Sequence, residues 1–88
     1  MSYQFTQHGQ QQMQARGISK EAVQAALRFG RRSWIRGACL YAIGRRDAVR
    51  ARRQGLRLDQ YEGVHVVTSP DGVVLTVYRN HDLRGLRR

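Results

Sequence analysis

The sequence predicts an α+β domain in which two N-terminal helices pack on a four-stranded antiparallel sheet. Two capped helical segments come first, two pairs of short aliphatic or aromatic runs follow them, and a charged segment without helix breakers separates the two pairs. Helices that precede an antiparallel sheet and cover one of its faces form a two-layer α+β fold. The expected order is helix, helix, strand, strand, short helix, strand, strand.

Capping residues delimit the two N-terminal helices. The Thr6 hydroxyl is expected to cap a first helix over residues 7–16, and Ser19 is expected to cap a second helix that Gly30 ends. The first helix has few apolar side chains, so we expect it to lie over the edge of the core. The second helix has a clearer apolar stripe, formed by Ala22, Val23, Ala26 and Leu27.

The first predicted hairpin joins residues 33–35 to residues 38–43 through a tight turn at Arg36 and Gly37. After it, residues 45–54 predict a short helix, with Asp47 as a candidate cap.

The second predicted hairpin joins residues 64–68 to residues 73–79 through a type I turn at residues 69–72, with Gly72 where φ must be positive. Residues 56–63 have no clear period and predict a loop. Alternation along the last strand places Tyr78 and Thr76 on one face and Val77 and Leu75 on the other.

Length and composition indicate one domain over residues 1–88, with a loosely ordered basic tail over residues 80–88. No apolar run approaches the ~20 residues that span a bilayer, and the N-terminus lacks a hydrophobic signal segment. We therefore expect a cytoplasmic protein without a membrane partner. Cys39 is the single cysteine and is expected to be a small buried hydrophobe, so no metal site or cofactor is predicted.

The net charge is +10, and fifteen of the sixteen basic residues are arginines. The planar guanidinium binds phosphate in a bidentate way, so this composition favours RNA or the ribosome as a partner. An acidic protein partner, such as an antitoxin, and a merely solvated basic surface are the alternatives. Residues 28–57 hold ten arginines. The predicted nucleic-acid contacts are Arg31, Arg32, Arg36, Arg45, Arg46, Arg50, Arg52, Arg53 and Arg79.

Residues 5–19, FTQHGQQQMQARGIS, resemble the opening of the bacterial domain of unknown function 4258 family, whose pattern reads roughly FTxHAxxRMxxRGIS. Residues 41–46 resemble the family's strand that ends in a Gly-Arg pair, and residues 71–79 resemble its closing hairpin. Gly9 replaces the pattern's alanine, and Gln12 replaces its arginine. The layout is also similar to RelE-like and BrnT-like toxins, which are ribonucleases or their relatives.

Cleavage of RNA without a metal needs a base, an acid and cations that stabilise the phosphorane, and this chain is rich in such side chains. His8 is the candidate base, and Arg16 lies on the same helical stripe as a candidate phosphate clamp. Tyr78 and His81 are candidate acids, and Arg79 with Arg45 or Arg46 are candidate phosphate ligands. His65 faces away from its valine neighbours and is interpreted as structural, and Trp34 as packed.

Three functions remain open. The first is a metal-independent ribonuclease toxin of a toxin–antitoxin pair, which predicts growth arrest on expression and an acidic partner encoded alongside. The second is a non-catalytic RNA-binding or ribosome-binding module, which predicts salt-sensitive binding without cleavage. The third is a protein-interaction domain whose arginines meet an acidic partner. The sequence has no paired carboxylates, nucleophile motif or glycine-rich phosphate loop, which argues against other enzyme classes.

Overall fold

The computed structural model describes residues 4–79. Its elements are α1 (Gln7–Ala15), α2 (Lys20–Phe29), β1 (Arg31–Ile35), β2 (Ala38–Ala42), α3 (Arg45–Arg53), a 3-10 turn (Asp59–Tyr61), β3 (Val64–Thr68) and β4 (Val74–Arg79). The strands form one antiparallel sheet in the order β1-β2-β3-β4. The predicted α+β class and element order are therefore confirmed. The predicted tail over residues 80–88 and the candidate acid His81 lie outside the described residues.

Side-chain caps start the first two helices at the predicted residues. Thr6 Oγ1 accepts a hydrogen bond from the Gly9 amide at 2.9 Å, and Ser19 Oγ accepts one from the Ala22 amide at 3.1 Å. The start of α3 differs from the prediction, because Gly44 is its N-cap and Asp47 lies one turn inside. The Asp47 carboxylate accepts from the Gly44 amide at 2.8 Å, which satisfies an otherwise unpaired donor at the helix start.

The main core lies between the sheet and the helices. Val23 and Ala26 of α2 are fully buried and belong to the same cluster as Val64, Val66 and Val77 of the sheet. This side is called the helix-covered face. The opposite side is called the far face, and two cross-strand rows define it: Arg31, Ala42, His65, Tyr78, and Ser33, Leu40, Val67, Thr76.

A β-bulge changes the predicted alternation along β4. Thr68 pairs with Val74 while Val67 pairs with Thr76, so Leu75 is an extra residue in the ladder. Val74 and Val77 are consequently both fully buried in the core, and Leu75 is half-buried. The prediction that Tyr78 and Val77 face opposite sides is retained, whereas the period of two fails across the bulge.

The outer edge of β4 is covered by the start of the chain. The Thr6 amide donates to the Val74 carbonyl at 2.9 Å, and the Val74 amide donates to the Gln4 carbonyl at 2.8 Å. Phe5 and Val74 form an isolated parallel bridge. A Cβ atom on Gly9 would lie 2.8 Å from the Val74 carbonyl oxygen, so the absence of a side chain lets α1 lie against β4. We call this the sealed edge.

The outer edge of β1 has no partner strand among residues 4–79. All five β1 residues are exposed, including Trp34 at 62% and Ile35 at 47%. The predicted turn to β2 is confirmed, and it has positive φ at both central residues, Arg36 at 50° and Gly37 at 80°. Such angles define a type I′ turn, which suits the twist of a two-residue hairpin. We call this the open edge.

Candidate nucleic-acid interface

One row of the far face contains two of the predicted functional residues, Arg31 and Tyr78. Arg31 pairs with Ala42, Ala42 with His65, and His65 with Tyr78, so these residues form one row across all four strands. Neighbouring strands lie about 4.8 Å apart, so the row is about 14 Å long. Arg31 stands at the β1 end of this row and Tyr78 at the β4 end.

At the β1 end, a groove opens between the far face and α3. Its volume is about 1070 Å³, and Ser33, Leu40 and Ala42 line it from the sheet. Five arginines surround this surface, and we call it the arginine groove. They are Arg31, Arg45, Arg46, Arg50 and Arg53. All five belong to the predicted nucleic-acid contacts, so α3 and β1 bring together residues that are distant in sequence.

Two carboxylates, Asp47 and Glu62, also line the arginine groove. Asp47 is buried and already accepts the Gly44 amide, so it offers little to a cation at the surface. The single ion pair among the described residues joins Arg52 to Asp59, and neither of these residues lines the groove. The groove therefore has a clear excess of positive charge, available to an anion.

The other predicted arginine contacts lie elsewhere. Arg52 is paired with Asp59, and Arg36 occupies the β1–β2 turn. Arg32 pairs with Tyr41, which packs against the helix-covered core, so Arg32 lies on the opposite side of β1 from Arg31. Arg79 alternates with Tyr78 and donates to the Gln60 carbonyl at 3.4 Å. The structure thus separates Arg79 from Tyr78, with which it was expected to act.

At the β4 end of the row, Tyr78 stacks on His65, with ring centroids 4.7 Å apart and planes 11° apart. Burial raises the pKa of the Tyr78 phenol, and the nearby positive charge of Arg16 partly opposes this rise. The Arg16 Nε donates to Gln12 Oε1 at 2.6 Å, which confirms that these two side chains share the predicted stripe of α1. Arg16 is therefore near enough to Tyr78 to influence its phenol electrostatically.

His65 is fully buried beneath this tyrosine. Its Nδ1 lies 2.8 Å from the Gly63 carbonyl oxygen, which can only accept, so Nδ1 carries the proton. Its Nε2 has no hydrogen-bond partner within the part of the chain that the structure describes. Burial lowers the pKa of His65, more than the bond to Gly63 raises it, because a charged ring would be poorly solvated there. The neutral ring is the stable form.

His8 is exposed on α1 but lies at the other end of that helix from Arg16. Its neighbour Gly9 approaches the carbonyl oxygens of Val74 and Leu75. Tyr78 is three residues beyond Leu75, about 10 Å along the strand. The candidate base and the candidate acid are therefore not brought together around one phosphodiester.

Sequence reasoning missed two features of these surfaces. Trp34 is exposed on the edge strand, whereas the sequence suggested a packed side chain. His65 lies on the side expected from its valine neighbours, but its stacking on Tyr78 was not foreseen. His65 pairs with Tyr78 in the β3–β4 hairpin. Counting residue pairs outward from the turn at Gly72 would predict this pair in a regular hairpin, but the bulge shifts the register by one residue.

Among residues 4–79, no three His, Cys, Asp or Glu side chains lie close enough together to hold a metal ion. In the same range, no helix is both long and apolar enough to cross a membrane.

Comparison with known proteins gives a family and no closer relative. Neither the curated proteins nor the solved structures contain a significant match. The model of the family described as domain of unknown function (DUF4258) matches residues 5–79, which includes α1, both hairpins and the whole far-face row. The match covers most of the chain and nearly all of the described fold, and the chain therefore belongs to the domain of unknown function 4258 family.

Proposed function

We propose that this domain binds single-stranded RNA and holds its phosphates in the arginine groove. The observation that carries the proposal is the convergence of five arginines from β1 and α3 on one open groove whose buried carboxylate is already occupied. A positively charged groove that follows a phosphate backbone is the usual basis of single-strand binding. RNA binding in this form requires no metal, and it agrees with the cytoplasmic location expected from the sequence.

Salt dependence measures how many phosphates the groove neutralises. Each phosphate contact to a single strand contributes about −0.7 to the slope of log K against log salt. Contacts from all five groove arginines would therefore give a slope of about −3.5. A smaller slope would mean that fewer of the arginines touch phosphate.

The binding experiment uses fluorescence anisotropy with a short single-stranded RNA from about 50 to about 200 mM salt. Arg50→Gln and Arg31→Gln should each weaken binding and reduce the slope, because each removes one groove contact. Arg57→Gln is the matched control, since Arg57 is exposed but does not line the groove. Affinity that is independent of salt, or an equal loss in the control, would contradict the proposal.

A second candidate function is RNA cleavage at the β4 end of the row. Arg16 and Tyr78 favour it, because a guanidinium lies near a half-buried phenol on the same face as Arg31. An RNA strand held in the groove and continued for about 14 Å across the far face would reach Tyr78. Arg16 would then bind the scissile phosphate, and Tyr78 would act as the acid.

The proposed reaction is a transesterification. A base removes the proton of the 2′-hydroxyl, the 2′-oxygen attacks the adjacent phosphorus, and the bond from phosphorus to the 5′-oxygen breaks. Tyr78 gives its proton to the leaving 5′-oxygen, so the products are a 2′,3′-cyclic phosphate and a 5′-hydroxyl. Arg16 stabilises the charge on the phosphorane. His8 lies at the other end of α1 and does not reach this phosphodiester, so water takes the proton of the 2′-hydroxyl.

Cleavage is tested on a defined RNA in the presence of a chelator, alone and with ribosomes. Tyr78→Phe and Arg16→Gln should each lower the rate about a hundredfold, whereas His8→Ala should not, because His8 lies at the other end of α1. Tyr61→Phe is the matched control, because Tyr61 is half-buried on the 3-10 turn. Intact RNA with the wild type would end the enzyme proposal and leave RNA binding in place.

A ribonuclease of this kind would act as the toxin of a toxin–antitoxin pair. Induced expression should then arrest growth, and co-expression of an acidic protein encoded beside it should restore growth. Arrest that persists in Tyr78→Phe would show that cleavage at this site is not its cause.

A further inference from the structure

The open edge of β1 is a regular, uncovered template for another strand. β1 pairs with β2 over five consecutive residues without a bulge, and it contains no proline. Every β1 residue is exposed, and no strand among residues 4–79 pairs with its outer side. An edge of this kind presents alternating amide and carbonyl groups, which an extended polypeptide can satisfy.

We propose that the open edge of β1 binds an extended acidic segment of a partner protein, which adds to the sheet as a fifth, antiparallel strand. The domain has a net charge of +10, so a second copy of itself would be repelled while an acidic chain would be attracted. This surface overlaps the arginine groove only at Arg31 and Ser33, because Arg32, Trp34 and Ile35 of β1 do not line that groove.

The side chains of β1 specify a pattern in the added strand. Arg31 and Arg32 lie on opposite faces at one end of β1, so acidic residues should stand opposite both of them. Trp34 and Ile35 lie on opposite faces at the other end and are unusually exposed, so apolar residues should cover them. An antiparallel partner therefore reads apolar, apolar, small polar, acidic, acidic from its N-terminal end.

Backbone chemistry favours a polypeptide over RNA at this edge. A strand edge alternates donors with acceptors, and an extended peptide matches both. The phosphates of RNA offer only acceptors, and its donors, the 2′-hydroxyls and base N–H groups, do not alternate with acceptors in one line as those of an extended peptide do. The exposed apolar pair at Trp34 and Ile35 likewise matches apolar side chains on a neighbouring strand.

The probe is a fluorescent synthetic peptide whose centre contains two valines, a threonine and two glutamates in that order. Its binding to the full chain is measured by anisotropy. Two further peptides carry N-methyl groups on alternate central amides, one on the odd and one on the even positions. Only one of these sets can face β1, so one methylated peptide should bind like the parent and the other at least tenfold more weakly.

Protein variants locate the peptide on β1. Arg32→Glu and Trp34→Ala should each weaken peptide binding at least fivefold, whereas Arg57→Glu, an exposed arginine outside β1, should have a smaller effect. Trp34→Ala should leave RNA affinity unchanged, which separates this surface from the arginine groove. Circular dichroism of each variant checks that the fold is retained.

Three results would overturn the inference. The first is no binding of the parent peptide, and the second is equal binding of the two methylated peptides, which would mean attraction by charge without strand addition. The third is dimerisation of the free domain that increases with concentration, is abolished by Trp34→Ala and is not prevented by the peptide. That result would assign the edge to a second copy of the domain.

Discussion

The two edges of the sheet differ in whether another part of the chain covers them. At the sealed edge, the backbone of Gln4 and Thr6 bonds to Val74, and α1 lies so close that a side chain at Gly9 would meet the Val74 carbonyl. At the open edge, all five residues of β1 are exposed and no described strand pairs with its outer side. One edge is closed by backbone contacts, and the other is protected only by charge.

This difference separates stability from recognition. Residues of the sealed edge contact backbone and core, so substitutions there should destabilise the domain. Residues of the open edge contact solvent, so substitutions there should change binding and leave the fold intact. Arginines on an edge strand discourage pairing between identical copies, because each copy carries the same charge.

The largest effect is expected at Gly9. Gly9→Val places a branched side chain where even Cβ would lie 2.8 Å from the Val74 oxygen, so α1 must move away from β4. Overpacking of this kind costs about 2–3 kcal/mol. Urea denaturation measures the loss, with Ser33→Val at the open edge as the control, expected within about 0.5 kcal/mol of the wild type. Equal losses at both positions would break the comparison.

A smaller loss is expected at Thr6. Its hydroxyl accepts from the Gly9 amide at 2.9 Å and donates to the Leu75 carbonyl at 3.2 Å, so it both caps α1 and fastens α1 to β4. Thr6→Val should cost about 1–2 kcal/mol. Ser19→Ala, which removes a cap without a link to the sheet, should cost less. If the two cost the same by urea denaturation, the bond to Leu75 adds nothing.

His65, buried on β3 and stacked on Tyr78, should also make the stability of the domain depend on pH. Burial lowers its pKa in the fold below that of the unfolded chain, so between these two values the unfolded chain binds more protons. The stability is therefore complete above the ordinary histidine pKa and is lost as pH falls through the folded pKa. The urea concentration at the midpoint of unfolding should therefore decrease as the pH is lowered from about 7.5 to about 5. His65→Phe keeps a ring on Tyr78 and should reduce this fall.

A modest gain is expected at the turn beside the open edge. Arg36 has φ of 50°, a left-handed conformation that arginine adopts at a cost. Asparagine tolerates this conformation and is favoured before glycine in type I′ turns, so Arg36→Asn should raise stability by about 0.5–1 kcal/mol. Arg57→Asn should not. A loss of stability in Arg36→Asn would mean that the arginine makes a compensating contact.

The smallest effect is expected at Trp34. Although tryptophan is usually a core residue, this side chain is 62% exposed, so Trp34→Ala should change stability by less than about 0.5 kcal/mol. Ile43→Ala, at a fully buried aliphatic position, should cost about 2–5 kcal/mol in the same urea assay. A comparable loss at both positions would show that Trp34 is packed.

Local signals were sufficient to predict most of the fold. Thr6, Ser19 and Gly30 mark helix ends through their own chemistry, and Gly72 marks a turn by its need for positive φ, so no knowledge of distant contacts was required. The sequence could not predict the bulge at Leu75, because an extra residue in a ladder depends on how the whole strand packs.

The candidate interface was harder to predict because it depends on which residues share a face. Sequence clustering found the groove arginines together with Arg32, and Arg79 was predicted from its position next to Tyr78. Only the register shows that Arg32 projects away from Arg31 and that Arg79 lies apart from Tyr78. Local helix geometry fixed the spacing of His8 and Arg16. The position of Tyr78 beside Arg16 comes from the packing of α1 along β4.

The arginine groove also has a permanent charge. The positive charge of the groove comes from guanidinium groups alone, with no lysine among the residues that line it. Acetylation, which removes positive charge from lysine side chains, has a single possible target in this chain, Lys20 at the first position of α2. Lysine acetylation therefore cannot neutralise the groove, whereas competing anions, higher ionic strength or an occupant of the neighbouring edge would weaken its attraction for anions.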